Sequence, residues 1–328
     1  MNYKESKQIL EEIKKAKKII SICHESPDFD SILSNLLLKK IIKKLGKNIE
    51  LYSPEKLGVK NRFLDPKGEI KIKETNKIKL SEYDLLFALD VSDLKRLKIN
   101  ESINLPKVIV NIDHHDEANF GKISIFERDA GGTCSILYYL FKDWNIKFTN
   151  EELNLILLGL ISDTHVFHFP YPSSKVFKRV TELIDEGGDY ERALYYVSRC
   201  YNVMEFKYWA EAIKRIKIDK KYQFAYTVIP YSIHNKYKRY GVSSRQVSDT
   251  FLRNINDTNF GIVIIEDKDG NAKVSIRTRT PGYYVLDLIK QLGGGGHLTG
   301  GGASIKDKTF ESAVNLVLEQ ARKYAKKE

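Results

Sequence analysis

The chain has 328 residues, 42% of them hydrophobic, and carries 54 basic against 43 acidic side chains for a formal charge of +11. That length exceeds one hydrophobic core and predicts two domains, the apolar content excludes a disordered chain, and the positive charge suits an anionic partner such as a nucleotide or nucleic acid. Cys23, Cys134 and Cys200 lie far apart without CxxC spacing, which argues against a disulfide framework or a thiolate zinc site. No apolar run reaches the roughly 20 residues that span a bilayer, so a soluble cytoplasmic protein with no membrane partner is expected.

In chain order, Ile9, Ile13, Ala16 and Ile20 give an amphipathic N-terminal period that predicts a first helix. KKIISIC then reads as a buried strand. It delivers His24-Glu25-Ser26-Pro27-Asp28-Phe29-Asp30 into a strand-to-helix turn, because Leu33, Leu36, Leu37, Ile41 and Leu45 follow at helical spacing. Residues 48–53 and 84–90 form further strands, the second ending in Asp90, and the lysine-rich residues 67–79 form a solvated loop or edge element. In residues 107–116, KVIVNIDHHD, the run Val108-Ile109-Val110 ends in Asp113-His114-His115, where Gly, Asn or Pro would ordinarily close a strand. GKISIFE is a fifth strand, and DAGGTCSILYYLFKDW is a Gly-Gly turn opening a helix. The apolar residues 151–161 form a buried helix running into Ser162-Asp163-Thr164-His165, and helices over 173–186 and 189–199 follow. Strands alternating with helices imply an α/β domain with a mostly parallel five-stranded sheet and sites at the carboxyl ends of its strands.

Val203, Phe206, Ala210, Ile213 and Lys217 predict an amphipathic linker helix. Beyond it a smaller α/β domain begins with the strand YQFAYTVIP. A helix around residues 244–254, strands FGIVIIED and AKVSIRTRT, a helix near 284–292, a glycine run and a last helix bearing Phe310, Val314, Val317 and Tyr324 complete it. The expected boundaries are 1–200, 201–217 for the linker and 218–328.

His24, Asp28, Asp30, Asp90, His114 and Asp163 supply two imidazoles and four carboxylates at the ends of buried elements. Each alone is ordinarily a turn residue, a helix cap or a satisfied structural side chain. Their combination in one sheet, H-x3-D-x-D after a strand, a strand ending in Asp, a strand ending in DHH and a helix ending in DT, points to a metal centre. Two divalent cations would balance the four carboxylates, and oxygen and nitrogen ligation without sulfur favours Mn²⁺, with Mg²⁺ or Co²⁺ as candidates. In the second domain, the glycines of LGGGGHLTGGG, residues 292–302, mean that the backbone comes very close to something, and bare N–H groups there can cradle a phosphate. Period-two alternation puts Lys273, Ser275, Arg277 and Arg279 on one strand face, and paired arginines suit phosphate. A glycine-rich turn beside a solvated strand face is the alternative.

The motifs HESPDFD, LLFALD, IDHH and GLISDT resemble, in the same order, those of the DHH phosphoesterases, and GGGGH is similar to the signature of their DHH-associated domain. The resemblance implies that His24, Asp28, Asp30, Asp90, His114 and Asp163 ligate the metals with Asp90 as the bridge. It implies a catalytic pair in which His115 meets the scissile phosphate as acid or charge stabiliser and Asp113 orients the histidines. It makes Arg277 and His297 substrate-binding residues, with Arg279, Gly295 and Gly296 beside them, and puts the active site in a cleft between the domains. The expected activity is that of the oligoribonuclease and pAp-phosphatase type: metal-dependent hydrolysis of short RNA to nucleoside 5′-monophosphates, with pAp as a further substrate. A cyclic- or linear-dinucleotide phosphodiesterase and a catalytically silent short-RNA or nucleotide-binding module are the alternatives, and a homodimer is left open. Phe29, Ser31, His165 and Thr299-Gly300-Gly301-Gly302 depart from the family pattern, while His168 and His234 match no motif and are read as structural.

Overall fold

The computed structural model describes residues 2–59, 61–100, 103–115, 120–168, 173–307 and 309–325, so Asp116 of the KVIVNIDHHD stretch lies outside it. Two units divide at Met1–Cys200 and Tyr201–Glu328. In the first, the Ile- and Leu-rich runs form strands β1 (Ile19–Ile22), β2 (Ile49–Ser53), β3 (Ile70–Ile72), β4 (Leu85–Leu89), β5 (Val108–Asp113) and β6 (Ile123–Phe126). They lie in the order β3-β2-β1-β4-β5-β6, every pairing parallel.

The sheet therefore has six strands where the sequence predicts five. The additional one, β3, lies in the lysine-rich segment and pairs at the sheet edge, Leu51 opposite Ile70 and Ser53 opposite Ile72. Only Ile70 of its three residues is buried, so it lacks the apolar run that marks a central strand, and its exposed Lys71 is what an edge tolerates. By contrast β1, β4 and β5 are buried throughout, as strands covered on both faces must be.

Helices α1 (Ser6–Lys15), α2 (Phe29–Lys44), α3 (Thr133–Asp143), α4 (Asn150–Asp163), α5 (Ser174–Asp185) and α6 (Tyr190–Ser198) cover this sheet. A capping box of Thr149 and Glu152 starts α4, whose Ile156, Leu157, Leu160 and Ile161 join Leu33, Leu37 and Ile41 of α2 in one apolar core. Strand order runs outward from β1 to β3 and then restarts at β4 on the other side of β1. The crevice at such a reversal, beyond the carboxyl ends of β1 and β4, is where α/β sheets hold ligands. His24 and Asp90 follow those two strands.

The second unit holds β7 (Lys217–Asp219), β8 (Phe224–Ile229), β9 (Phe260–Glu266), β10 (Ala272–Thr278), β11 (Gly295–His297) and β12 (Gly300–Ile305), ordered β11-β12-β10-β9-β8-β7, with only β8 and β9 parallel. Helices α7 (Val203–Ile213), α8 (Tyr231–Tyr237), α9 (Ser244–Thr250), α10 (Leu286–Gln291) and α11 (Phe310–Ala325) accompany it. One core joins Phe224, Phe260 and Ile276 to Leu288 and Val317; a second joins Val263 and Ile265 to Tyr208, Trp209 and Val247. The buried face of α7 is Tyr208, Trp209 and Ala212, whereas Val203, Phe206 and Ile213 of the expected apolar stripe are exposed. The face that goes inside carries the larger aromatic surface together with Glu205, whose buried carboxylate closes a capping box with Asn202.

The glycine run is a β-hairpin rather than an open loop: Gly295 pairs with Gly302, Gly296 with Gly301 and His297 with Gly300. A Cβ at Gly301 would run into the Gly295 carbonyl, one at Gly296 into the Gly300 carbonyl, and one at Gly300 would stand 2.6 Å from Cδ of Arg277. The close approach that these glycines permit is that of the chain to itself. Among the described residues no helix is long and apolar enough to cross a membrane.

Candidate metal centre

Each strand of the switch point delivers a donor from its carboxyl end. Beyond β1, His24 is buried with its Nδ1 2.7 Å from the Glu25 carbonyl, and Asp28 caps α2 by accepting from the Ser31 N–H. Asp30, in the first turn of α2, is buried against the N-terminus of α3, where its two oxygens accept from the N–H groups of Thr133 (2.5 Å) and Cys134 (3.0 Å). Gly132, at φ +129°, lets that helix start come so near: a Cβ there would meet Asp30 Oδ1 at 3.2 Å. After β4, Asp90 adopts left-handed backbone at φ 60°, a conformation costly for most residues but accessible to Asp, and its N–H bonds the Ile112 carbonyl. Asp113 closes β5, His114 and His115 follow, and Asp163 is the last residue of α4.

These side chains converge. Donor atoms of His24, Asp28 and Asp90 lie within 4.8 Å of one another, as do those of Asp30, His114 and Asp163 and those of Asp90, Asp113, His114 and His115. Asp90 stands between the first two groups: its Oδ2 is 3.4 Å from His24 Nε2 and its Oδ1 is 3.4 Å from His114 Nε2, which is in turn 3.4 Å from Asp163 Oδ2. His24 Nε2 and His114 Nε2 are buried without a hydrogen-bond partner. Donors each about 2.1 Å from a common ion stand roughly 3.0–3.4 Å apart, so the spacing and the orphaned nitrogens fit divalent cations. In the third group, Asp113 Oδ1 already accepts from the N–H groups of His114 (2.8 Å) and His115 (3.3 Å) and from His115 Nδ1 (2.8 Å). That oxygen and that nitrogen hold each other in place, while Asp113 Oδ2, like His24 Nε2 and His114 Nε2, is buried without a hydrogen-bond partner.

The carboxylates and imidazoles of the cluster perturb one another strongly. Burial, then the charges of Asp90 and Asp163, push the Asp30 carboxyl up to about 7. Burial would depress His24, but Asp28 and Asp90 outweigh it and raise it to about 10. Burial would likewise raise Asp90, yet the His114 and His24 rings hold it well below the usual carboxylate range. The imidazoles thus take up as protons the positive charge that the carboxylates require.

Residues 18–160, which include HESPDFD, LLFALD and IDHH, match the DHH family N-terminal domain, and residues 221–327 match the DHHA1 domain. The chain is a DHH-family protein with a C-terminal DHHA1 domain. Members of this family hydrolyse phosphoester bonds, and the chain is a hydrolase of that class. Over 328 aligned residues it is 26% identical to the bifunctional oligoribonuclease and PAP phosphatase NrnA of Thermus thermophilus, across 98% of this chain and 94% of that one. It is 28% identical over 169 residues to a probable manganese-dependent inorganic pyrophosphatase of Brevibacillus brevis, across 50% of this chain and 54% of that one. An exopolyphosphatase-related protein from Bacteroides fragilis shares its fold, with a TM-score of 0.85 at 22% identity over 98% of this chain and 96% of that one.

The eight expected site residues of the DHH domain thus lie together; those of the DHHA1 domain do not form one cluster. Arg277 Nε donates to Asp249 Oδ1 at 2.7 Å and its Nη1 to the Ile276 carbonyl at 2.9 Å. Arg279 lies past the end of β10 and its Nη2 bonds Asn256 Oδ1 at 3.0 Å, so the two arginines, expected on one face, are committed to different partners. Gly295, Gly296 and His297 form the exposed edge strand β11. His165 is exposed with Nδ1 3.2 Å from the Asp163 carbonyl, and His168 bonds the carbonyls of His165 and Val166. His234 meets the hydroxyl of the buried Tyr208 at 3.3 Å.

Three neighbours of the centre are not among the residues singled out from the sequence, although Gly159 opens the GLISDT motif. The Thr133 and Cys134 N–H groups that hold Asp30 are backbone and invisible to residue type. Gly159 in α4 is a packing requirement: a Cβ there would stand 2.5 Å from Cys134 Sγ and 3.0 Å from Asp30 Oδ1. Gly159→Ala is therefore expected to destabilise the DHH domain by about 1–3 kcal/mol and to weaken metal binding through Asp30. Melting curves with and without Mn²⁺ check this, and a wild-type curve in both conditions would contradict it. The third, Arg96, has its Nη2 3.4 Å from His24 Nδ1; it lies in the DVSDLKRL run after β4, where nothing but its basicity marks it.

Proposed function

We propose that this DHH-family protein hydrolyses very short oligoribonucleotides to nucleoside 5′-monophosphates and dephosphorylates pAp, holding two divalent cations, Mn²⁺ foremost. The observation that carries the reading is Asp90, with one oxygen directed to the His24 and Asp28 group and the other to the His114, Asp30 and Asp163 group. The similarity to NrnA along nearly the whole chain supports the substrate class, and the manganese dependence in the pyrophosphatase's name supports the metal.

His24, Asp28, Asp30, Asp90, His114 and Asp163 would hold the ions. When bound, such a pair supplies a water acidified to near neutral pH and stabilises the oxygens around phosphorus during in-line displacement. His115 does the complementary work. Its Nδ1–H is tied to Asp113 Oδ1, so Nε2 is the ring's remaining proton donor. Burial would depress this ring, but the Asp113 bond offsets that and raises it above its ordinary value. An imidazolium so placed neutralises charge on a phosphate oxygen and can protonate the departing ribose oxygen. For the DHHA1 domain, Arg277, Arg279, Gly295, Gly296 and His297 are the residues we assign to substrate binding, on the family match.

The test is product analysis. The Mn²⁺-loaded protein is given a 5′-labelled diribonucleotide, a long RNA strand, pAp and cyclic di-AMP in parallel. Fastest turnover of the diribonucleotide to monophosphates is expected. Faster digestion of the long strand would refute the short-substrate assignment, preferred cleavage of cyclic di-AMP would move the protein to the dinucleotide phosphodiesterases, and binding without turnover would make it a binding module.

A further inference from the structure

We propose that Arg96 binds a phosphate group of the substrate beside His24, an inference that rests on the phosphoesterase function of the centre. Arg96 sits in a short 3-10 turn, Leu94–Leu97, that follows Asp90. The turn is anchored without the guanidinium: the Arg96 carbonyl accepts from the Glu25 N–H at 2.6 Å, Asp93 accepts from the Lys95 N–H at 2.9 Å, Thr75 Oγ1 donates to the Leu97 carbonyl at 2.6 Å, and the Leu97 side chain is buried in the core. The guanidinium is therefore not needed to hold the segment. It is half-buried, and its Nη2 lies 3.4 Å from His24 Nδ1.

That contact is not a hydrogen bond. His24 Nδ1 is 2.7 Å from the Glu25 carbonyl oxygen, a distance that needs the proton on Nδ1, and Nε2 is the atom turned to Asp28 and Asp90. Nδ1 is thus a donor facing another donor. Nearby carboxylates are engaged elsewhere: Glu25 pairs with Lys98, and Glu55 accepts from the N–H and hydroxyl of Ser26 while facing Lys98 at 3.9 Å. Among the described residues, no carboxylate forms an ion pair with Arg96.

A partly desolvated guanidinium is costly unless its donors are met by an anion. Beside a site that collects cations, a fixed positive charge also opposes metal binding, so it is ill suited to supporting His24 as a ligand. An anion arriving with the metals in place removes both penalties. The planar fork of donors matches two oxygens of one phosphate, so the ligand class is a phosphomonoester or phosphodiester with free non-bridging oxygens. Arg96 would then be a cationic substrate contact contributed by the DHH domain itself.

The experiment uses the full chain loaded with Mn²⁺ and inorganic phosphate as probe, read by calorimetry and by inhibition of turnover, in wild type, Arg96→Ala and Arg96→Lys. We expect Arg96→Ala to weaken phosphate binding by roughly 10- to 100-fold and Arg96→Lys to fall between, keeping the charge but losing the fork. Mn²⁺ affinity measured without phosphate should be unchanged or higher. Unchanged phosphate affinity in Arg96→Ala would overturn the proposal, and so would a loss of Mn²⁺ affinity equal to the loss of phosphate affinity, since Arg96 would then act only through His24. Should the alanine variant fail to fold, Arg96→Gln, which keeps most of the side-chain stem, gives the same comparison. Because the probe is orthophosphate, failure of the wild type to cleave short RNA would sink the functional reading without deciding this one.

Discussion

Replacing His115 by Ala is expected to reduce turnover by on the order of 10²- to 10⁴-fold, the range of a lost acid or base, and to leave the bound metal in place. Replacing His114 by Ala should deplete at least one ion and lose activity for that reason. The two rings are adjacent in sequence and their centroids are 4.2 Å apart, yet their nitrogens have different occupations. His114 Nε2 is buried, unpartnered and 3.4 Å from both Asp90 Oδ1 and Asp163 Oδ2, which is the position of a ligand. His115 Nδ1 is spent on Asp113 at 2.8 Å, and its side chain keeps 28% exposure, which is the position of a residue that meets substrate. Metal content by elemental analysis alongside single-turnover kinetics separates these roles. Equal metal loss in the two variants would refute the division.

Stripping the metals is expected to lower the melting temperature substantially. An ion present at a thousand times its dissociation constant stabilises by about 4 kcal/mol, which for a unit of this size corresponds to about 8–16 °C. The effect should depend on pH in a defined direction. In the metal-free protein, Asp30 is raised from 3.8 to about 7 and His24 from 6.5 to about 10. Both hold their protons more tightly when folded, so stability falls as pH rises, through about 7 for Asp30 and on toward about 10 for His24. Asp90, held low by its histidines, works in the opposite sense, but only on the acid side of the ordinary carboxylate range. Metal binding needs these ligands deprotonated, so the gain in melting temperature on adding Mn²⁺ should grow between about pH 5.5 and pH 8. A gain that is flat or shrinks with pH, or an unchanged midpoint after exhaustive EDTA treatment, would count against the centre.

The parts of this molecule that could be read from sequence are those where pattern and chemistry coincide. His24, Asp90 and Asp113 to His115 each terminate a run of buried β-forming residues, so an abrupt polar ending stands out, and the parallel sheet then gathers those endings at one edge. Asp163 is legible because the apolar run from Leu155 to Ile161 in α4 ends abruptly just before it. What escaped was set by relations between segments. Strand β3 is three residues with one buried side chain, and its existence depends on the free edge of β2. The glycine run predicts close approach of another group, whereas the packing shows the two arms of a hairpin approaching each other. Alternation along β10 placed Arg277 and Arg279 together, but the strand ends at Thr278 and Asp249 takes the first arginine. Arg96 follows no period at all; only its distance from His24 Nδ1 distinguishes it from the other basic residues of a chain with 54.

On the proposed function, six residues of the DHH domain would hold two cations, with Asp90 facing both donor groups, and the loaded site would act on very short RNA. Titrating metal-free protein with Mn²⁺ while counting bound ions per chain and following hydrolysis of pApA tests it most directly. Two ions should bind, turnover to AMP should rise with occupancy of the second, and Asp90→Ala should abolish both. Full turnover with a single ion bound, or with Asp90 replaced, would contradict it.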